Sequence, residues 1–235
     1  MIEPCMTTIG FIGSGLIGSA VARQAIEAGY DVVMSNSRGP ETLADLVADL
    51  GEHASAATKE EAAERADLAV LTVPLHAYEQ APAAQLAGRT VIDTCNYYPE
   101  RDGHIEALDD ESTTTSELVQ AHLADSRVVK AFGNINDQHI PQLARPVGAE
   151  DRTALAIAGD DEAAKETVTR FLDAIGFDAV DAGPLAEGWR WQRDTEAYGQ
   201  VYTADNDGDY AKPGVPRDAA YVADKLRQSK RYRDM

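Results

Sequence analysis

A short apolar run, Ile9-Gly10-Phe11-Ile12, leads directly into Gly13-Ser14-Gly15-Leu16-Ile17-Gly18, and apolar residues at helical spacing continue from there without a break. Strand, glycine turn and helix in that order leave few alternatives to a βαβ unit on a parallel sheet. The three glycines have separate tasks in such a turn. Gly13 permits the tight bend, Gly15 lets a ligand's pyrophosphate approach the backbone, and Gly18 lets the helix sit close against the strand. The phosphates then face the free N–H groups at the helix start. The turn is therefore expected to receive a dinucleotide.

Residues beyond the turn fit the same unit. Ile17, Val21, Ala25 and Ala28 fall near one helical face, Gly29 stands at the helix end, and Val32-Val33-Met34 forms the next buried strand. An NAD site places an acidic side chain at the exit of this second strand to hold the ribose 2′-hydroxyl. Here the exit is Ser35-Asn36-Ser37-Arg38, and Asp31 lies at the wrong end. Hydroxyl, amide and guanidinium groups suit a 2′-phosphate, so NADP(H) is the expected cofactor.

Strand and helix signals keep alternating beyond this unit. A helix is expected over Pro40 to Leu50, with Leu43, Leu46, Val47 and Leu50 on one side, then a short strand near His53 to Ala57 and a helix from Thr58 to Arg65. Leu68 to Val73, Thr90 to Asp93 and Val128 to Phe132 are three more buried strands. Their carboxyl ends open into Pro74-Leu75-His76, Thr94-Cys95-Asn96 and Gly133-Asn134, and ligands of open parallel sheets collect outside such ends. Tyr97 to Ser116 forms a polar excursion before a helix carrying Leu118, Val119 and Leu123. Ala154 to Ala158 is a strand, Asp161 to Ile175 a helix, and Phe177 to Val180 a further strand. The expected fold is an α/β Rossmann-type doubly wound parallel sheet. Residues 1–147 form its NADP-binding domain, and 148–235 form a smaller C-terminal α/β segment and tail packed upon it.

Composition narrows the partners. Of 235 residues, 40 are acidic and 21 basic, and the formal charge of −19 disfavours nucleic acid and anionic membrane surfaces. Cys5 and Cys95 have no spacing that suits a disulfide framework or a metal clip, and no metal site is expected. A reducing cytoplasm and a soluble protein are the simplest expectations, since neither a secretory signal nor a membrane span stands out. Met1 to Cys5 are expected to be a dispensable extension ahead of the first strand.

The cofactor signatures resemble a known family. Gly10 through Gly15, the run Ser35-Asn36-Ser37-Arg38-Gly39-Pro40-Glu41-Thr42-Leu43, Asp93-Thr94-Cys95-Asn96-Tyr97-Tyr98 and Val129-Lys130-Ala131-Phe132 are similar to the NADPH-dependent reductases of coenzyme F-420, over roughly residues 7 to 190. The resemblance implies that Gly13, Ser14, Gly15, Leu16 and Ile17 line the pyrophosphate turn and that Asn36, Ser37 and Arg38 hold the 2′-phosphate. It also implies that Val73, Pro74 and Leu75 flank the ribose and nicotinamide, with Ala131 and Phe132 near the ring.

Hydride transfer between two stacked rings needs no covalent nucleophile and no metal, because the cofactors carry the chemistry and the protein positions them. No general acid or base is therefore assigned. Candidate contacts for the small-molecule redox co-substrate are His76, Asn96, Asn134 and the aromatic pair Trp189 and Trp191. The two tryptophans either stack on a flat ring or anchor a docked C-terminal segment. Arg190, Arg193 and the cations of the tail are candidates for an anionic substituent. The expected activity is hydride exchange between NADPH and coenzyme F-420, in a homodimer. Two alternatives stay open: an NADPH-dependent reductase of a small imine, carbonyl or flavin, and a non-enzymatic NADP(H)-binding redox sensor.

Overall fold

The computed structural model describes residues 7–204 and 207–235; Met1 to Cys5, with the expected extension, lie outside them. Eight strands form one sheet: β1 (Thr8–Ile12), β2 (Asp31–Ser35), β3 (Ala54–Ala56), β4 (Leu68–Leu71), β5 (Thr90–Asp93), β6 (Arg127–Lys130), β7 (Thr153–Gly159) and β8 (Phe177–Asp181). Their order is β3-β2-β1-β4-β5-β6-β7-β8. Every pairing is parallel except β6 with β7. This is the Rossmann-type sheet expected from the sequence. Its topological switch lies at β1, which has β2 on one side and β4 on the other.

Ten helices connect the strands among the described residues: α1 (Leu16–Glu27), α2 (Ala44–Leu50), α3 (Lys59–Arg65), α4 (Ala83–Leu86), α5 (Pro99–Asp102), α6 (Glu106–Asp109), α7 (Thr115–His122), α8 (His139–Leu143), α9 (Glu162–Ala174) and α10 (Ala219–Gln228). None is long and apolar enough to cross a membrane. Apolar side chains cover both faces of the sheet. One core joins Ile9, Phe11, Val21 and Ala25 to Val168, Phe171, Trp191 and Leu226; the other joins Val33, Leu71 and Val91 to Ala62, Val119 and Leu185. The sheet runs on past residue 147, where strand direction reverses at β7.

Element ends depart from the sequence pattern for local reasons. Pro40 to Leu50 is not one helix. Thr42 donates to the carbonyl of Gly39 and accepts from the Asn36 amide, which tightens Pro40–Leu43 into a 3-10 turn before α2 begins. β4 stops at Leu71 because Pro74 has no N–H to continue a ladder. β6 stops at Lys130, since Phe132 turns into the left-handed region at φ 57°. Ala28 is exposed, as the helix cap and not part of the buried stripe. Lys59 opens α3 behind a full capping box, in which Thr58 and Glu61 each satisfy the other's backbone N–H.

Candidate active site

Two clefts meet at the start of α1, outside the carboxyl ends of β1, β4, β5 and β6. The first, of about 430 Å³, is lined by Gly13, Ser14, Gly15, Asn36, Ser37, Arg38, Val73, Pro74 and His76. The glycines of the turn behave differently. Gly13 has φ +117°, and a Cβ there would lie 2.2 Å from the Thr72 carbonyl oxygen, so the fold itself demands glycine. A Cβ on Gly15 would meet nothing within 4 Å. That point is open space in the cleft, and Gly15 is also the N-cap of α1, with no side chain capping the helix end. Open N–H groups, a helix dipole and free space together fit a pyrophosphate.

The exit of β2 has divided roles. Asn36 is consumed by its own turn: its amide nitrogen donates to Thr42 Oγ1 at 2.9 Å, and its oxygen accepts from the Arg38 N–H at 2.9 Å. That arrangement fixes the backbone carrying Arg38. Among the described residues no hydrogen bond or ion pair engages the Arg38 guanidinium, which is the open cation of this cleft. Asp31 faces His53 at 2.9 Å, away from the cleft. Lys59 and Thr72 also line the cleft, beyond the residues that the sequence pattern marks. Lys59 could have been suspected from the Thr58 capping signal, which aims the first turn of α3; nothing local marks Thr72.

Not every residue implied by the resemblance reaches the cleft. Val73 and Pro74 do, whereas Leu75 is fully buried in the core beneath them and Ala131 is fully buried behind Phe132. Cys95 is also buried; its thiol donates to the Val73 carbonyl, and burial pushes its pKa well up, so it is a packing residue.

The second cleft, of about 680 Å³, adjoins the first across Leu16 and Ile17. Leu16 is 74% exposed, an apolar side chain left bare at the edge of the second cleft, one residue beyond Gly15 of the first. Asn96, Phe132, Asn134 and Ile135 line the floor; Tyr98, Arg193, Asp194, Tyr198, Gly199, Gln200 and Tyr210 form the wall. Phe132 and Asp194 both hold positive φ, at 57° and 68°, a conformation uncommon for residues other than glycine. The two asparagines stitch this floor to its surroundings. Asn96 Nδ2 donates to the Gly133 carbonyl at 2.7 Å, and Asn134 Nδ2 donates to the Ala197 carbonyl at 2.9 Å, tying the C-terminal segment to the strand ends.

Asp102 joins the rims of both clefts. It accepts from the Tyr98 N–H at 2.9 Å, from His76 Nδ1 at 3.0 Å and from Arg101. Burial alone would raise its carboxyl, but these hydrogen bonds outweigh burial and bring its pKa down to about 2. His76 lines the first cleft while its ring holds Asp102, so it braces the loop after β4 against the loop after β5.

The tryptophans do not reach the second cleft, which corrects their expected role as substrate contacts. Trp191 is fully buried in the core, and Trp189 lies between the guanidinium groups of Arg190 and Arg231, at 4.7 and 4.6 Å from the ring. The physical reason is size: docking residues 185–191 on the sheet requires a large apolar plug, and the Trp191 indole fills that gap. Tyr198 and Tyr210, further along the same segment, line the cleft instead. Arg190 is likewise occupied, pairing with Glu187 and donating to the Leu226 carbonyl, while Arg193 pairs with Glu100 beside the cleft. Among the described residues no group of three or more His, Cys, Asp or Glu side chains could hold a metal ion.

Known proteins share this fold. Residues 8–97 match the model of the family described as NADP oxidoreductase, coenzyme F420-dependent. The match spans β1 through the end of β5, so it contains the whole lining of the first cleft and ends inside the second. Over 181 residues, 76% of this chain, the sequence is 29% identical to the metalloreductase STEAP3 of Rattus norvegicus; the aligned part is 34% of that protein's length. A hypothetical protein from Sinorhizobium meliloti superposes with a TM-score of 0.71 at 25% identity, covering 84% of this chain and 95% of the other. A protein from Arthrobacter sp. FB24, inferred to be an F420-dependent NADP reductase, superposes with a TM-score of 0.66 at 23% identity, covering 78% and 87%. The resemblance drawn from the sequence therefore holds over residues 8–97 and in the fold.

Proposed function

We propose that the chain is an NADP(H)-dependent oxidoreductase that exchanges hydride between NADPH, seated in the first cleft, and a deazaflavin of the coenzyme F-420 type in the second. One observation carries the reading: Gly15 lines the first cleft and Leu16, the next residue and 74% exposed, lines the second, so flat rings seated in the two clefts would be neighbours at the start of α1. The family match over residues 8–97 supports the cofactor and names the acceptor class. NADPH, when bound, supplies a hydride from its dihydronicotinamide ring.

The chain's own residues do the positioning. Free N–H groups at Ser14, Gly15 and Leu16 receive the pyrophosphate, Arg38 receives the 2′-phosphate, and Val73 and Pro74 bound the ribose. Phe132 and Ile135 give the second cleft an apolar floor that keeps water from between the rings. The test is anaerobic oxidation of NADPH with 5-deazariboflavin, riboflavin and a small cyclic imine assayed side by side. The expected result is fast reduction of the deazaflavin alone. Turnover of the imine without the deazaflavin would overturn the acceptor, and binding of NADPH with no turnover of any acceptor would overturn the enzyme.

A further inference from the structure

We propose that the hydroxyl pair of Tyr98 and Tyr198 is a hydrogen-bond donor of the second cleft and that it anchors a carbonyl oxygen on the edge of a planar acceptor ring. The proposal rests on the reading that this cleft takes the hydride acceptor. The two phenols come from positions a hundred residues apart, and their hydroxyls bond to one another. Each has one hydrogen, and the bond between them uses one of the two. Among the described residues no other hydrogen bond engages either hydroxyl, so one O–H is left over, in a cleft that both rings line. In an open cleft that hydrogen is free to donate to a ligand in place of water.

The pair is held rigidly from both sides. Tyr98 is fixed through its backbone N–H to Asp102, and the Arg101 and Arg193 guanidinium groups lie over its ring at 4.8 and 5.7 Å. Tyr198 comes directly after Ala197, whose carbonyl is held by Asn134 and whose N–H donates to Ser229. On its other side is Gly199, where a Cβ would lie 2.6 Å from the Tyr210 hydroxyl, so the Tyr210 ring packs directly against this segment. Little ordering is therefore left for a ligand to impose.

The donor sets the class of ligand. Burial raises the Tyr198 and Tyr210 hydroxyls, so they stay neutral and do not become anions that would repel a carbonyl. A neutral O–H with a second O–H behind it forms a chain in which each bond polarises the next, suited to a neutral carbonyl oxygen. Leu16 and Ile17 offer accessible apolar surface for a flat ring with such an edge, and Phe132 and Ile135, themselves buried, back the cleft.

The test measures binding apart from turnover. The full chain, with NADP+ present, is titrated with 5-deazariboflavin by its fluorescence, using wild type, Tyr98→Phe, Tyr198→Phe and the double variant. The double variant should bind the ring about tenfold more weakly or worse, with NADPH affinity unchanged to within about twofold. The single variants should differ, the larger loss marking the phenol whose hydrogen faces the ligand. An independent arm needs no variant: replacing the ring's carbonyl oxygens with sulfur should weaken binding to wild type and make little difference to the double variant. Unchanged ring binding in the double variant overturns the proposal. So does no preference of wild type for oxygen over sulfur, no ring binding to wild type, or a joint loss of NADPH and ring binding, which would make the pair a structural strap. Ring binding without NADPH oxidation would instead overturn the hydride-exchange reading and leave the anchor standing.

Discussion

The first cleft is drawn from nearby segments, around residues 13, 36, 59, 74 and 80, whereas the second is assembled from segments as far apart as residues 16, 96, 133, 198 and 210. In the first, backbone does most of the work: a left-handed glycine, an uncapped helix end and an Asx turn presenting one cation. In the second, side chains do it: asparagine amides reaching across to carbonyls and two phenols meeting over a hundred residues of sequence. A backbone site needs particular residue types at fixed spacing, so it leaves a motif. A side-chain site needs only that distant loops arrive at one place. The same contrast separates the tryptophans, which anchor, from the tyrosines, which line.

The largest effect that would break this contrast is expected at Trp191. Trp191→Ala should destabilise the fold by about 3–5 kcal/mol through the cavity it leaves, read as a fall in the urea midpoint. If that variant kept its stability and lost only acceptor binding, the indole would belong to the site and the division between anchors and lining would fail.

Next in size is Gly15→Val. Open space around this position predicts near-normal stability, with NADPH affinity lowered by about a hundredfold or more as the branched side chain takes the pyrophosphate's place. Isothermal titration decides it; an unchanged affinity would move the phosphates elsewhere. Gly13→Ala sharpens the point, since its loss should appear in folding.

Arg38→Ala is expected to weaken NADPH by about tenfold and to leave NADH nearly unaffected, because a charge-assisted bond to a 2′-phosphate exists for one cofactor only. Equal losses for both cofactors would refute the assignment.

An effect of similar size links the two clefts. The Asp102 carboxyl has a folded pKa of about 2, below the ordinary 3.8, so its hydrogen bonds stabilise the fold fully above about pH 4 and that contribution is lost as pH falls toward 2. Asp102→Asn should therefore cost on the order of 1–2 kcal/mol at pH 7, a gap that narrows in urea titrations at pH 3. A gap of constant size would show that packing, and not charge, is at stake.

Legibility from sequence divides along the same line. Strand and helix positions are readable wherever apolar periodicity is long, as in α9, where Ala164, Val168, Phe171, Leu172 and the capping Ile175 are all buried. Ends are not, because a proline at 74, a left-handed Phe132 and the Thr42 side chain decide them one residue at a time. In the first cleft Gly13, Gly15 and Arg38 stand where their spacing places them. Asn36 lies there too, but its amide is spent on the turn, a detail that depends on Thr42 six residues away. Leu75 and Ala131 illustrate the limit of motif transfer: both belong to the right strand ends, and both face inward.

By itself, then, the sequence determined the parallel sheet, the glycine turn at its switch point and the acid-free exit that suits a 2′-phosphate, since each arises from local residue chemistry at short spacing. Only the tertiary structure decided the second cleft. It brought Tyr198 to Tyr98 and Asn134 to Ala197, sent Trp191 into the core, and reversed the sheet at β7 so that the C-terminal segment returns across the strand ends. Those outcomes turn on which of several aromatic side chains best fills a given gap, and packing between distant segments settles that with no trace in local spacing.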